Sequence, residues 1–360
     1  MEKNRKPSSL FVTRVVVIIL LLAVGTLYWQ NRYLKAVLVK LSSHAHQVYP
    51  YLPKVDRYFD FTVDFYGLQV SGNTRTDYEL YFTGAVEKPE LYFLRDLVSR
   101  INRPDTVFVD VGACKGNHSL FMSRYVEKVI AFEPYHLVGD RLRSAIEQNQ
   151  IGNIILRPYG LGSKNARVPF FSPKNENHNT GSFSADFTPD NEYFGDLEIR
   201  IGDEELRRLE VDRVDIVKVD VEGYEKEVLV GLQEAVTRDR PIVMMELLRD
   251  LPAGVGFKTL KEVESSFPKD YRLLQFSDYE YYSGRYRLDD LDFDQRIIYT
   301  ESTRMKRPRN VIAYPQEKEH LVPRSNLDRE YLIPDPARTQ TFENQAPKRL
   351  AETKDFQPAT

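Results

Sequence analysis

Two carboxylates in matching positions give the first sign of chemistry. Asp110 closes an apolar run, VFVDV at 107–111, and the glycine-punctuated stretch GACKG at 112–116 follows at once. Glu133 closes a second run in the same way, in AFEP, 23 residues after Asp110. Short apolar runs bounded by turn residues read as buried strands. In an open parallel sheet, ligands bind beyond the carboxyl ends of the strands, where the strand order reverses. Gly112 and Gly116, with Ala113 between them, would let the backbone approach a ligand there. An acid about 20 residues after such a turn commonly holds a ribose hydroxyl pair. The plainer alternative makes Asp110 a helix N-cap and Glu133 a solvated strand end. Their shared order and spacing favour the ligand.

The same turn narrows the choice of ligand. It lacks the dinucleotide fingerprint G-x-G-x-x-G, and the chain has no G-x-x-x-x-G-K-[ST] phosphate loop. An acid just ahead of the turn would repel a pyrophosphate. It suits a nucleoside cofactor with a cationic amino group and no phosphate, which describes S-adenosyl-L-methionine.

A second constellation, KVDVEGYE at 218–225, repeats the design. Alternation along a strand places Lys218, Asp220 and Glu222 on one face. Parallel strands are usually apolar on both faces, so three charges on one face need a reason. Glu246, at the end of PIVMMEL, reaches the next strand end. Three roles stay open for this group. It could orient or deprotonate an acceptor hydroxyl, hold a divalent metal, or form a structural ion-pair network. No metal is assigned. His118 opens the helix after the first turn, as a cap, a packed residue or a catalytic group. Cys114 reads as a small packing residue, because no partner base is evident.

These residues need a frame of strands and helices. TVFVDV, VIAF, NIILRPY, DIVKVDV and PIVMMEL read as strands, with helical patterns in NHSLFMSRYV, LVGDRLRSAIEQNQ and YEKEVLVGLQEAV between them. That alternation predicts βαβ units, a mostly parallel central sheet and helices on both faces. Before it, DFTVDFYGLQVSGN at 60–73 reads as a hairpin turning at Gly67 and Gly72, and KPELYFLRDLVSRI at 88–101 as a helix. After it come a helix in TLKEVESSF and strands in YRLLQF and NVIAY, separated by an aromatic, acidic insertion whose tyrosines could stack on sugar rings. We divide the chain into an anchor region, 1–46; an extension, 47–104; a catalytic domain, 105–314; and a polar, disordered tail, 315–360.

Composition bounds the rest. At 42% hydrophobic residues the chain can bury a core, and a net charge of −3 gives it no general pull toward nucleic acid. A single cysteine rules out an intrachain disulfide. Leu10 to Trp29 are 20 residues, with Arg14 the one charge among them. As a helix they would span about 30 Å, the thickness of a hydrocarbon core. This predicts a single N-terminal membrane anchor, with Tyr28 and Trp29 at the interface. The sequon Asn117–His118–Ser119 lies in the proposed cofactor turn, so a catalytic domain facing the cytosol is expected.

The motifs VFVDVGACKGNHS, AFEP, QNQIGNI with Asn149 and Asn153, YGLGS, TGS at 180–182, DIVKVDVEGYEKEVLVGL and MMEL follow one another in the chain. In that order they resemble the FkbM-type family of S-adenosylmethionine-dependent methyltransferases, over about residues 60–250. The resemblance implies a Rossmann-like class I methyltransferase fold. It implies cofactor contacts at Asp110, Gly112 and Glu133, with Asn149 among them, and an active cleft at Asp220, Glu222 and Gly223. It implies methylation of a hydroxyl, often on a sugar or secondary metabolite. The family commonly has Asn where this chain has Cys114. The expected protein is thus a membrane-anchored methyltransferase acting on a hydroxylated small molecule or glycan. A catalytically inactive member of the fold and an NAD(P)-dependent oxidoreductase are the competing readings.

Overall fold

The computed structural model describes residues 59–174, 181–187, 191–247, 256–280, 284–293, 298–299, 306–307 and 309–328. The expected membrane anchor lies outside these residues. Among the described residues no helix is long and apolar enough to cross a membrane.

An eight-stranded sheet organises the chain. Its parallel part comprises β3 (Val107–Val111), β4 (Lys128–Phe132), β5 (Ile154–Arg157), β9 (Ile216–Val219) and β10 (Ile242–Leu247). These strands lie in the order β10-β9-β3-β4-β5 and pair parallel throughout. Beyond β10 the sheet continues with β13 (Arg309–Pro315), β11 (Tyr271–Glu280) and β12 (Arg285–Asp290), all through antiparallel pairings. The order reverses at β3, between β4 and β9, so the ligand crevice of an open sheet falls beside Asp110.

Both faces of the sheet are buried. Phe108, Ala131, Ile216 and Met244 join one core with Leu91, Phe93, Leu97, Phe121 and Leu142. These last come from α2 (Lys88–Ile101), α3 (Asn117–Met122) and α4 (His136–Gln148). Val109, Ile130, Val217 and Val243, one position along each strand, join the opposite core. There they meet Leu206, Val228, Val236 and Val263. Their helices are α5 (Gly202–Arg208), α6 (Glu225–Gly231), α7 (Gln233–Asp239) and α8 (Leu260–Ser265). Period-2 alternation in runs rich in Val and Ile thus serves two cores at once.

The N-terminal extension packs on the first core. β1 (Asp60–Phe65) and β2 (Leu68–Asn73) form the expected hairpin, followed by α1 (Tyr78–Thr83). The hairpin turns at Tyr66–Gly67, both with positive φ. Gly72 is not a turn point: it pairs inside the ladder with Phe61.

Other expectations change. The single helix read in YEKEVLVGLQEAV is two, α6 and α7, parted at Leu232. The segment 159–208 holds a second, three-stranded sheet that sequence periodicity missed. It consists of β6 (Gly160–Gly162), β8 (Asn191–Ile201) and β7 (Ala166–Pro173), in that spatial order. The aromatic insertion is in part the β11–β12 hairpin. Phe276 and Tyr286 are wholly buried, and the Tyr286 hydroxyl donates to Asp96 Oδ2 at 2.9 Å, so these two rings form core rather than a sugar platform. Nor does order stop at Pro315. A 3-10 helix spans Gln316–Leu321, and Val322 and Asn326 are buried.

Candidate active site

β3 ends where Gly112 turns, and the turn satisfies itself. The Gly112 and Ala113 amides both donate to the Phe132 carbonyl, at 3.0 and 3.1 Å. The Cys114 amide donates to Glu133 Oε2 at 2.8 Å. Gly112 has φ +81°, and a Cβ there would lie 1.8 Å from the Asp220 carbonyl oxygen. Glycine is therefore required by the approach of the β9 turn itself, as well as by any ligand. Gly116, with φ +94°, leads into α3.

Asp110 is fully buried. Its Oδ2 accepts from Ser119 Oγ at 2.6 Å, while Oδ1 has no hydrogen-bond partner among the described residues. Lys218 lies at the same register on the neighbouring strand, with its Nζ 3.6 Å from Asp110 Oδ1. That ammonium also lies 3.2 Å from Asp220 Oδ2 and donates to the Gly112 carbonyl at 3.1 Å. Burial works against its charge, but Asp220 and Asp110 outweigh burial and keep Lys218 protonated. For Asp110 burial prevails and raises the carboxyl above its usual range, despite Lys218.

Glu133 sits at the end of β4. Its two oxygens accept the amides of Cys114 and Tyr135, each at 2.8 Å. Burial still lifts it to about 7. Beside it Tyr135, Phe170, Phe183 and Phe194 form an aromatic group, with Tyr135–Phe170 and Tyr135–Phe194 centroids 5.0 and 4.8 Å apart. Cys114 packs against this group; burial, reinforced by Glu133, pushes its thiol up to about 12, which makes it a poor nucleophile.

The second constellation forms by a different route from the one its alternation suggests. β9 stops at Val219, so Lys218 and Asp220 share a face, but Glu222 arrives through a turn with φ +52°, followed by Gly223 at +101°. Glu225 fixes that turn. Its buried Oε1 accepts from the Val221 and Gly223 amides at 3.2 and 3.1 Å. This structural role went unread in the sequence, although the spacing E-G-x-E carries it. The TGS segment is tied in as well: Ser182 Oγ donates to the Glu222 carbonyl at 2.7 Å. Glu246 follows Met245, the register partner of Val219, so Asp220 and Glu246 lie at adjoining strand ends. Oxygens of Asp220, Glu222 and Glu246 lie within 4.8 Å of one another. Burial, then neighbouring carboxylates led by Asp220, raises both Glu222 and Glu246 well above the ordinary glutamate value.

Two predicted residues stand apart. Asn149 caps α4 and joins it to the hairpin, accepting from the Gln69 amide at 2.7 Å and donating to the Gln69 carbonyl at 2.8 Å. The structure thus engages its side chain with β2 rather than with the acidic cleft. His118 is buried, with Nε2 3.9 Å from Glu87 Oε2. Burial, and then Lys218, drive its pKa well below the usual imidazole value, so it is neutral at physiological pH.

Parts of the chain match known proteins. Residues 110–281 match the family described as methyltransferase FkbM domain. A hexuronic acid methyltransferase, AglP, from Haloferax volcanii is 31% identical over 163 residues, which are 45% of this chain and 62% of that protein. The chain therefore spans somewhat under two thirds of that relative. Among solved structures, a methyltransferase FkbM from Methylobacillus flagellatus aligns at 18% identity and a TM-score of 0.39, over 65% of this chain and half of that one. An O-methyltransferase from Bacillus cereus in complex with SAH aligns at 9% identity and a TM-score of 0.36, over 64% of this chain and 80% of that one.

Proposed function

We propose that this chain, which through residues 110–281 belongs to the methyltransferase FkbM domain family, transfers a methyl group from S-adenosyl-L-methionine to an oxygen of a sugar or sugar acid. One observation carries the reading. Two buried carboxylates, Asp110 and Glu133, meet at the switch point of a parallel sheet, and one Asp110 oxygen lacks a partner among the described residues. Glu133 suits a ribose hydroxyl pair, and Asp110 suits a cationic amino group. The aromatic group at Tyr135 and Phe170 offers an apolar face beside them. When bound, the cofactor supplies a methyl carbon on a cationic sulfur.

The chain's own contribution is alignment and charge. Lys218 holds Asp110 and Asp220 in fixed relation across β3 and β9. Asp220, with 27% of its side chain exposed, is a carboxylate that an acceptor can reach. Its Oδ2 is the atom we assign to take the acceptor's hydroxyl proton as the new C–O bond forms and the methyl–sulfur pair returns to sulfur. Glu222 and Glu246 are the weaker candidates for that proton, because burial already favours their protonated forms.

An NAD(P)-dependent oxidoreductase is disfavoured by the turn. The amides of Gly112, Ala113 and Cys114 are all engaged within the protein, and acids surround them, so a pyrophosphate meets repulsion and finds none of these three donors free. The intact acid pair argues against an inactive fold. The relative's hexuronic acid supports a sugar acid as acceptor. A membrane anchor at residues 10–29 and a cytosol-facing catalytic domain remain part of the proposal. The buried Ser119 and the Asn117 Nδ2 bond to the Val86 carbonyl, at 2.9 Å, support the latter, because a glycan attached to Asn117 of a lumenal chain before it folds would prevent this packing.

The test supplies isotope-labelled S-adenosylmethionine and a panel of hexuronates and neutral sugars to the full chain and follows label by mass spectrometry. Label in a methyl ether or ester of one panel member is expected, with loss of more than tenfold in Asp220→Asn. Cofactor binding without transfer to any sugar would move the weight to the inactive fold.

A further inference from the structure

We propose that Asp220, Glu222 and Glu246 bind a divalent metal ion in the cleft. Lys218 is already committed to other partners. An ammonium has three donors, and those of Lys218 face the Gly112 carbonyl, Asp110 and Asp220. None remains for Glu222 or Glu246. Neither of these two has an ion pair among the described residues, yet their oxygens and one of Asp220 converge within 4.8 Å. Buried like charges at this spacing repel unless protons or a cation compensate them.

A second observation points the same way. Glu246 is 8% exposed, and its Oε2 is buried with no hydrogen-bond partner among the described residues. It stands at the end of β10 and contributes to the convergent group, so the orphaned carboxylate belongs to the cluster itself. Buried carboxylates ordinarily have partners, and an orphan asks for one. The chemistry of the donors selects the ion. Three carboxylates with no nitrogen or sulfur suit a hard cation such as Mg²⁺, Mn²⁺ or Ca²⁺. Metal–oxygen bonds of about 2.0–2.6 Å set the oxygens of one ion at most roughly 5 Å apart, which the cluster meets.

The ion's role rests on the methyltransferase reading; its site does not. Asp220 and Glu222 are both partly exposed, so open coordination positions on the ion would face the acceptor. An acceptor with neighbouring oxygens, a carboxylate beside a hydroxyl or a vicinal diol, would be oriented by the ion. Its hydroxyl would ionise more readily near the positive charge. The cationic amino group of the cofactor is the competing occupant, which a titration without cofactor separates.

The experiment strips the full chain with a chelator and titrates Mn²⁺ alone. Free ion is followed by electron paramagnetic resonance, and S-adenosylmethionine binding is measured in parallel by calorimetry. One ion per chain is expected, with affinity in the micromolar to millimolar range. Asp220→Asn and Glu246→Gln should each weaken it at least tenfold, while the surface variant Glu319→Gln leaves it unchanged. If either variant fails to fold by circular dichroism, Glu222→Gln takes its place. A folded parent that takes up no Mn²⁺ at millimolar concentration overturns the site, as does uptake that either folded variant leaves intact. Cofactor binding without Mn²⁺ uptake would sink the metal alone. Mn²⁺ uptake without cofactor binding would sink the methyltransferase reading and leave the metal.

Discussion

At the scale of single residues, the cleft is defined by acids that burial pushes toward neutrality. Glu225 shows the consequence most cleanly, because it holds a turn together. Burial raises it from 4.5 to about 7. Between those values the folded chain keeps a proton that the unfolded chain has released. Stability from this group is therefore greatest at low pH and falls as pH rises through 7. Glu225→Gln keeps an oxygen to accept from Val221 and Gly223 and removes the charge. It should stabilise the protein by on the order of 2–3 kcal/mol at pH 8 and by little near pH 5. Denaturant unfolding in a chelating buffer at both pH values measures this, and an equal effect at the two would contradict it. Asn149 offers the opposite case, a predicted cofactor contact whose bonds go to the hairpin. Asn149→Ala should cost about 1 kcal/mol of stability and leave S-adenosylmethionine affinity within twofold. A tenfold loss of affinity in a calorimetric titration would return Asn149 to the cofactor.

At the scale of elements, the site depends on close backbone crossings. Gly231 ends α6 against β6, and a Cβ there would lie 2.0 Å from the Gly162 carbonyl oxygen. The obstructing atom is backbone, so no side chain can move aside. Gly231→Ala should lower stability by about 2 kcal/mol or more, displacing α6 and with it the turn that Glu222 and Glu225 share. Thermal unfolding tests this; an unchanged midpoint would show that the helix shifts freely. What the sequence made legible follows from the same physics. β3, β4, β9 and β10 are Val/Ile-rich and buried on both faces, so their runs stand out. The acids at their ends stand out for the same reason. β7 is interrupted by Pro169 and Pro173, which weaken a strand signal, and β8 carries mixed exposed and half-buried residues with no clean period, so the small sheet over 160–201 was missed. The roles of Glu222 and Glu225 were misread or unread because both depend on a left-handed turn, where strand alternation no longer applies. The bond of Asn149 to the hairpin went unread because its partner Gln69 lies 80 residues away, a pairing that local spacing cannot show.

At the scale of the whole molecule, the sheet brings together parts of the chain that are distant in sequence. Asp110 and Glu133 come from one βαβ unit, Lys218 and Asp220 from the strand across the switch point, and Glu246 from the strand beyond. The extension closes on the first core through Leu91 and Phe93, and its Asp77 holds Lys115 and Arg141 at 2.5 and 2.8 Å. The one lysine of the cofactor turn is thus engaged by Asp77. An acid-lined cleft at the switch point, with its turn amides already engaged, specifies a cationic nucleoside cofactor. The most direct measurement is calorimetric titration of S-adenosylmethionine into the full chain, beside Asp110→Asn and Glu133→Gln, with folding checked by circular dichroism. Micromolar binding to the parent and a loss of at least tenfold in each variant are expected. A well-folded parent that does not bind, or folded variants that bind as the parent does, would contradict that assignment.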